Sequence, residues 1–139
     1  MKSWMSAVSL LCAALALGAL GCNSGPKTVE VSGTVNFEGG VPPGAGVKVI
    51  RFAPTSDTTA EIKKAASGTI ADDGSFEMYT RIPGDGVYVG KYAVVFSVLN
   101  SPIEQKSLID PKYTDASTTP YIIELNDDQH DLTFTIEKK

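Results

Sequence analysis

From Thr28 onward, apolar and polar residues alternate along the chain. Val29, Val31, Val35 and Phe37 fall on one face, and Glu30, Ser32, Thr34 and Asn36 on the other. A period of two predicts a half-buried strand, because successive side chains of an extended chain point to opposite sides. Glu38-Gly39-Gly40 and Pro42-Pro43-Gly44 end it with turn chemistry. A second strand is expected over Val47 to Phe52. Both its faces are apolar, Val47 and Val49 against Ile50 and Phe52, so the pattern leaves its inward face open, and Pro54 closes it. Thr55 to Lys64 is polar and reads as a surface loop, with a single helical turn over Ala60 to Lys64 as the alternative.

The clearest hairpin follows. Ala66 to Ile70 and Phe76 to Thr80 flank Ala71-Asp72-Asp73-Gly74-Ser75, whose Asp-Gly pair suits a tight turn because glycine accepts positive φ. Pro83-Gly84-Asp85-Gly86 makes another turn. Gly90 to Val98 is a long strand with Tyr92, Val94, Phe96 and Val98 inward. Asn100 to Pro120 has no period and holds three prolines; irregular segments of that length are usually functional or disordered. Tyr121, Ile123 and Leu125, then Leu132, Phe134 and Ile136, predict a last hairpin around the turn Asn126 to Asp131. About seven short strands without a long helix read as an all-β, antiparallel β-sandwich.

The first residues follow a different rule. Lys2 precedes an uncharged apolar run from Met5 to Leu20, and Gly21 stands before Cys22. This is the anatomy of an export signal. It resembles the bacterial lipobox, in which a small residue precedes a cysteine that is diacylated and becomes the mature N-terminus. Ala19 stands where that motif usually has leucine, with Leu20 one place later. A membrane-spanning helix needs about 20 apolar residues, and this run is short and interrupted by Ser6, Ser9 and Gly18. The expected organisation is a signal peptide over 1–21 cut after Gly21, a lipidated Cys22 with a tether to residue 27, and a domain over 28–139. A plain secretory signal and an uncleaved anchor are the alternatives. Two acyl chains hold firmly where one binds marginally, each buried methylene contributing ~0.8 kcal/mol. Asn23 in place of aspartate leans toward the outer membrane, with the domain exposed to the periplasm or cell surface.

Composition then narrows the partners. The net charge is −4, and it becomes −5 without residues 1–21, whose only charged residue is Lys2. A mildly acidic domain without a basic run has no electrostatic footprint for nucleic acid. Cys12 lies in the apolar run and Cys22 is the anchor, so the domain holds neither a disulfide nor a thiolate metal site.

Gly33-Thr34-Val35, Pro43-Gly44-Ala45, Phe52-Ala53-Pro54, Asp73-Gly74-Ser75-Phe76, Pro83-Gly84-Asp85-Gly86, Gly90-Lys91-Tyr92 and Asp110-Pro111-Lys112-Tyr113 occur in that order. The set resembles small bacterial lipoproteins carrying a carboxypeptidase regulatory-like domain, over almost all of residues 28–137. The resemblance implies a transthyretin-like (prealbumin-like) Greek-key sandwich of seven strands, similar to the accessory domain beside carboxypeptidase catalytic units. It implies no catalytic residue and no cofactor.

The chemistry available is sparse. His130 is the only histidine and falls in the turn Asn126 to Asp131; a Ser-His-Asp triad would have to use it, in a setting where solvent competes. Transthyretin-like ureide hydrolases use several histidines and a terminal Tyr-Arg-Gly-Ser, whereas this sequence reads Ile136-Glu137-Lys138-Lys139. Calcium would need hard oxygen ligands. Asp72, Asp73 and Asp85 at two turns are weak candidates, and Asp127, Asp128 and Asp131 form a second group, but aspartates also favour turns for their own hydrogen bonds. Zinc is disfavoured by one histidine and no usable cysteine. Tyr79, Tyr88, Tyr113 and Tyr121 could stack on sugars, Tyr88 and Tyr113 being the candidates for ligand contact; burying the ring and wetting the hydroxyl is the ordinary alternative. Tyr113 is also the expected packing plug of the long loop. The expectation is a non-enzymatic, lipid-anchored envelope protein whose sandwich is a structural or protein-interaction module. A module binding glycan or calcium is the alternative.

Overall fold

The computed structural model describes residues 25–139. The expected signal peptide over 1–21, its expected cut after Gly21 and the expected lipidation of Cys22 fall outside the described residues. Nine strands and one short 3-10 turn make an all-β domain. They are β1 (Thr28–Val29), β2 (Val31–Glu38), β3 (Val47–Pro54), β4 (Ala66–Thr69), β5 (Ser75–Glu77), β6 (Val87–Tyr88), β7 (Gly90–Leu99), the turn Pro111–Tyr113, β8 (Ile122–Leu125) and β9 (Gln129–Glu137). Among the described residues, no helix is long and apolar enough to cross a membrane.

The strands form a four-stranded sheet ordered β4-β3-β7-β8, a three-stranded sheet ordered β5-β2-β9, and a small β1-β6 pair. One apolar layer joins the two larger sheets. The four-stranded sheet contributes Ile50, Phe52, Tyr92, Val94, Phe96 and Val98, while the three-stranded sheet contributes Val31, Val35, Phe76, Phe134 and Ile136. Phe96 meets Phe134 of the opposite sheet edge-on, with ring centroids 5.9 Å apart. The alternation read for β2 and β7 matches their buried rows. Register settles what the pattern of β3 left open: Ile50 faces Phe96 and Phe52 faces Val94 across the ladder, so both join the inward row of β7. Lys48 lies opposite Val98 in the same row. Its side chain is only 11% exposed, and its ammonium reaches out to Asp72 at 2.6 Å, as a long cationic side chain can when its stem covers apolar surface.

Two expected hairpins are built differently. The Asp73-Gly74 turn keeps hairpin register at both ends, with Ser67 bridged to Tyr79 and Ala71 bonded to Ser75. Its arms nevertheless go to different sheets, β4 to β3 and β5 to β2. The last pair is not a hairpin. β8 adds antiparallel to β7, while Asn126 to Asp128 cross over and β9 runs parallel to β2. The sandwich is therefore antiparallel except for one parallel pair. Residues 126–131 do not form one turn, because β9 already begins at Gln129.

The long segment after β7 is packed rather than loose. Ile109 and Tyr113 are buried in the core, and Tyr113 stacks on Tyr121. It also covers one edge of the three-stranded sheet. The Asp110 N–H donates to Glu137 O, the Lys139 N–H donates to Leu108 O, and the Tyr121 hydroxyl binds both the N–H and the carbonyl of Thr135. An open row of backbone groups would otherwise invite pairing with another chain. Thr55 to Lys64 is a loop without a helical turn.

Candidate functional site

The crossover from β8 to β9 brings distant residues together at the end of the domain that carries Lys27. Lys27 Nζ donates to the Asn126 carbonyl at 2.7 Å and pairs with Asp127 at 3.1 Å. Glu30 lies between β1 and β2, and its backbone groups are taken by the last residue of the crossover and the first of β9. Its N–H donates to Asp128 Oδ1 at 2.9 Å, and its carbonyl accepts from the Gln129 N–H at 2.8 Å.

Just beyond this clamp the β2–β9 register slips. Val31 opposes Gln129 but Gly33 opposes Leu132, so one extra residue of β9 is accommodated as a bulge. Bulges bend a strand and re-aim its side chains. Here the bulged stretch contains His130 and Asp131. The His130 ring lies beside β2, with Nδ1 3.5 Å from Ser32 Oγ and Nε2 4.0 Å from Glu30 Oε2. Ligand atoms of Glu30, Asp128 and His130 all lie within 4.8 Å of one another.

A serine, a histidine and a carboxylate thus stand in a row, but the setting is wet. The His130 side chain is 58% exposed and that of Glu30 78%. The serine contact is also longer than the ~2.7–2.8 Å usual when a hydroxyl donates to a firm partner. Nothing excludes water from the reacting groups, as nucleophilic catalysis by a neutral serine needs.

The aspartates singled out from the sequence serve turns and do not converge. The hydrogen bond from Lys48 holds the Asp72 carboxyl below its ordinary range. Asp73 accepts from both the hydroxyl and the N–H of Ser75, which lowers its pKa in the same direction. Both lie beside the upper part of β2, where the Val35 N–H donates to the Gly74 carbonyl. Asp85 lies at the opposite end, its carboxylate accepting from the N–H groups of Thr80, Arg81 and Ile82 next to the turn that abuts Val29. Six residue steps of extended chain take Val29 to Val35, about 20 Å. Of the second acidic group, Asp127 and Asp128 are engaged at the crossover by Lys27 and the Glu30 N–H.

The two tyrosines singled out for ligand contact are engaged within the fold. Tyr88 is half-buried in β6, opposite Thr28, and its carbonyl accepts the Tyr92 hydroxyl. Tyr113 is 4% exposed, stacked on Tyr121 and edge-on to Phe96. Its ring faces are spent inside the domain.

The grouping of Glu30, Ser32, Asp128 and His130 was not legible from the sequence. Hairpin reasoning pairs β9 with β8 and leaves His130 at a tip, whereas parallel pairing sets it against residues 98 and 100 positions earlier. One local signal points there: Gly33 inside an alternating strand, since a glycine at such a position marks a bulge or a close backbone approach. No family model matches the chain, and neither a curated protein nor a solved structure matches it.

Proposed function

We propose that this chain is a non-enzymatic, lipid-anchored protein of the cell envelope, whose single transthyretin-like sandwich serves as a structural or protein-interaction module close to its membrane. The fold part of this reading is supported by seven principal strands in sheets of four and three around one core. The anchor part rests on Gly21-Cys22 after an uncharged apolar run.

The observation that carries the functional reading is the docking of Lys27 on Asn126 and Asp127. It fixes the end of the tether to the body of the domain, so only residues 23–26 separate a lipidated Cys22 from a fixed point. From Cys22 to Lys27 the extended chain reaches at most ~18 Å. The crossover end then faces the bilayer, and the Asp72–Asp73 end faces away. A module held so near its membrane acts on neighbours in or on that membrane. The burial of Tyr113 and the separation of Asp72 and Asp73 from Asp85 favour this reading over a glycan or calcium module. Solvent access to Ser32 and His130 favours a non-enzymatic role.

Fractionation of cells expressing Cys22→Ser tests the anchor. The variant should move from the membrane to the soluble fraction. Retention equal to wild type refutes the lipid anchor and, with it, the membrane-proximal placement.

A further inference from the structure

We propose that Glu30, Asp128 and His130 bind a divalent transition-metal ion of the zinc class through one imidazole nitrogen and two carboxylates. The donor set suits that class. Borderline metals accept imidazole together with carboxylate, whereas calcium and magnesium take oxygen ligands alone.

The distances fit after small movements. Bonds of ~2.0–2.2 Å to a tetrahedral ion place neighbouring ligand atoms roughly 3.3–3.6 Å apart. Nε2 of His130 and Oε2 of Glu30 already stand 4.0 Å apart, and the whole set lies within 4.8 Å. Rotation about the side chain of Glu30, which is 78% exposed, brings Oε2 closer to Nε2.

Three further observations separate this cluster from an incidental group of surface acids. First, the scaffold is fixed: the Asp128 carboxylate is held by the Glu30 N–H, and the Glu30 carbonyl by the Gln129 N–H. Second, the β9 bulge falls on the stretch that carries the imidazole. Third, the ring is oriented for ligation. Ser32 Oγ lies 3.5 Å from Nδ1, and Nε2 lies 4.0 Å from Glu30 Oε2, so Nε2 is the ring nitrogen that stands beside that carboxylate. Among the described residues, neither Glu30 nor Asp128 is paired with a lysine or arginine; Lys27, the nearby cation, is committed to Asp127. Two carboxylates within 4.8 Å of one another repel until a cation sits between them. Three protein ligands leave a fourth position open to water or to a donor from another molecule.

The experiment uses the tag-free full chain in detergent and chloride salts of zinc, calcium and magnesium. Titration calorimetry gives stoichiometry and affinity, and NMR follows the ring of His130, unique in the chain. One zinc ion should bind per chain with a shift at Nε2, while calcium and magnesium at the same concentration leave the ring unmoved. His130→Gln and Glu30→Gln should each weaken zinc binding by ~10-fold or more, the range seen when a metal site loses a supporting group. Glu30→Gln retains both backbone bonds to Asp128 and Gln129, and unfolding midpoints equal to wild type confirm that both variants fold. The proposal is overturned if wild type binds zinc only at millimolar concentration, if either folded variant binds as wild type does, or if calcium moves the His130 ring equally.

Discussion

Gly33→Ala is the most direct test of the parallel β2–β9 pairing. A Cβ built on Gly33 would lie 2.0 Å from the Leu132 carbonyl oxygen, which the bulge turns into that space, whereas side chains essentially never approach closer than 3.0 Å. The obstacle is backbone, so the two strands must part by at least about 1 Å. A ladder bond of ~2.9 Å then stretches to ~3.9 Å, beyond hydrogen-bond range. Losing the two bonds flanking the bulge costs about 1 kcal/mol each, and forcing an extra carbon into a packed site adds roughly 1–3 kcal/mol. The sum is ~3–5 kcal/mol, a large share of the ~5–15 kcal/mol that stabilises a domain. Urea unfolding followed by tyrosine fluorescence reads this as a midpoint lowered by ~2–4 M, with m near the low end of its usual range. Gly40→Ala is the control. Its φ is +88° but nothing lies within 4 Å of the added carbon, so it carries only the ~1–2 kcal/mol of a left-handed residue. If Gly33→Ala loses no more stability than Gly40→Ala, β9 does not approach β2 as described.

Two other perturbations address separate features. Tyr121→Phe removes the hydroxyl that serves both backbone groups of Thr135 while leaving the ring stacked on Tyr113, so it should lower stability by ~1–2 kcal/mol; an unchanged urea midpoint would show that water replaces the hydroxyl at that edge. Partial burial raises the pKa of Asp85, but the N–H groups of Thr80, Ile82 and Arg81 outweigh it and hold the carboxyl below its ordinary range. A folded pKa below the unfolded value of about 3.9 means stability that is present above pH 4 and lost as pH falls through the folded value. Asp85→Asn should therefore lower the thermal midpoint at pH 6 and flatten the acid limb below pH 4; parallel curves for the two proteins would refute the assignment.

Much of the fold follows from local rules, and what escaped them was non-local. The alternation of Val29 to Phe37 and of Tyr92 to Val98 predicts buried rows that the structure shows, because a strand with one wet face must segregate its side chains. Two-faced apolar β3 gave no such segregation. Its inward side is set by register against β7, which no window of its own sequence contains. Adjacent strands with a turn between them read as a hairpin, and that is a sound expectation for Ala66 to Thr80. It fails for Tyr121 to Ile136, since the apolar rows of β8 and β9 satisfy either partner and only the opposite sheet needs a third strand. The Glu30–His130 neighbourhood disappeared with that assumption. The long loop was legible as important but not in kind: Asn100 to Pro120 buries Ile109 and Tyr113 in the core, and its backbone covers a sheet edge.

The pairing of β2 with β9 also governs the order in which the domain can be completed. Its second and last principal contributors lie almost a hundred residues apart, from Val31–Gln129 to Glu38–Glu137, and closing a loop of that length costs roughly 4 kcal/mol of chain entropy before any contact offsets it. Until β9 has been synthesised and delivered, the three-stranded sheet is a two-stranded fragment, and Phe134 and Ile136 are missing from the core. Such a chain stays threadable until its final strand arrives. During synthesis the domain therefore closes only after residues 129–137 have left the ribosome.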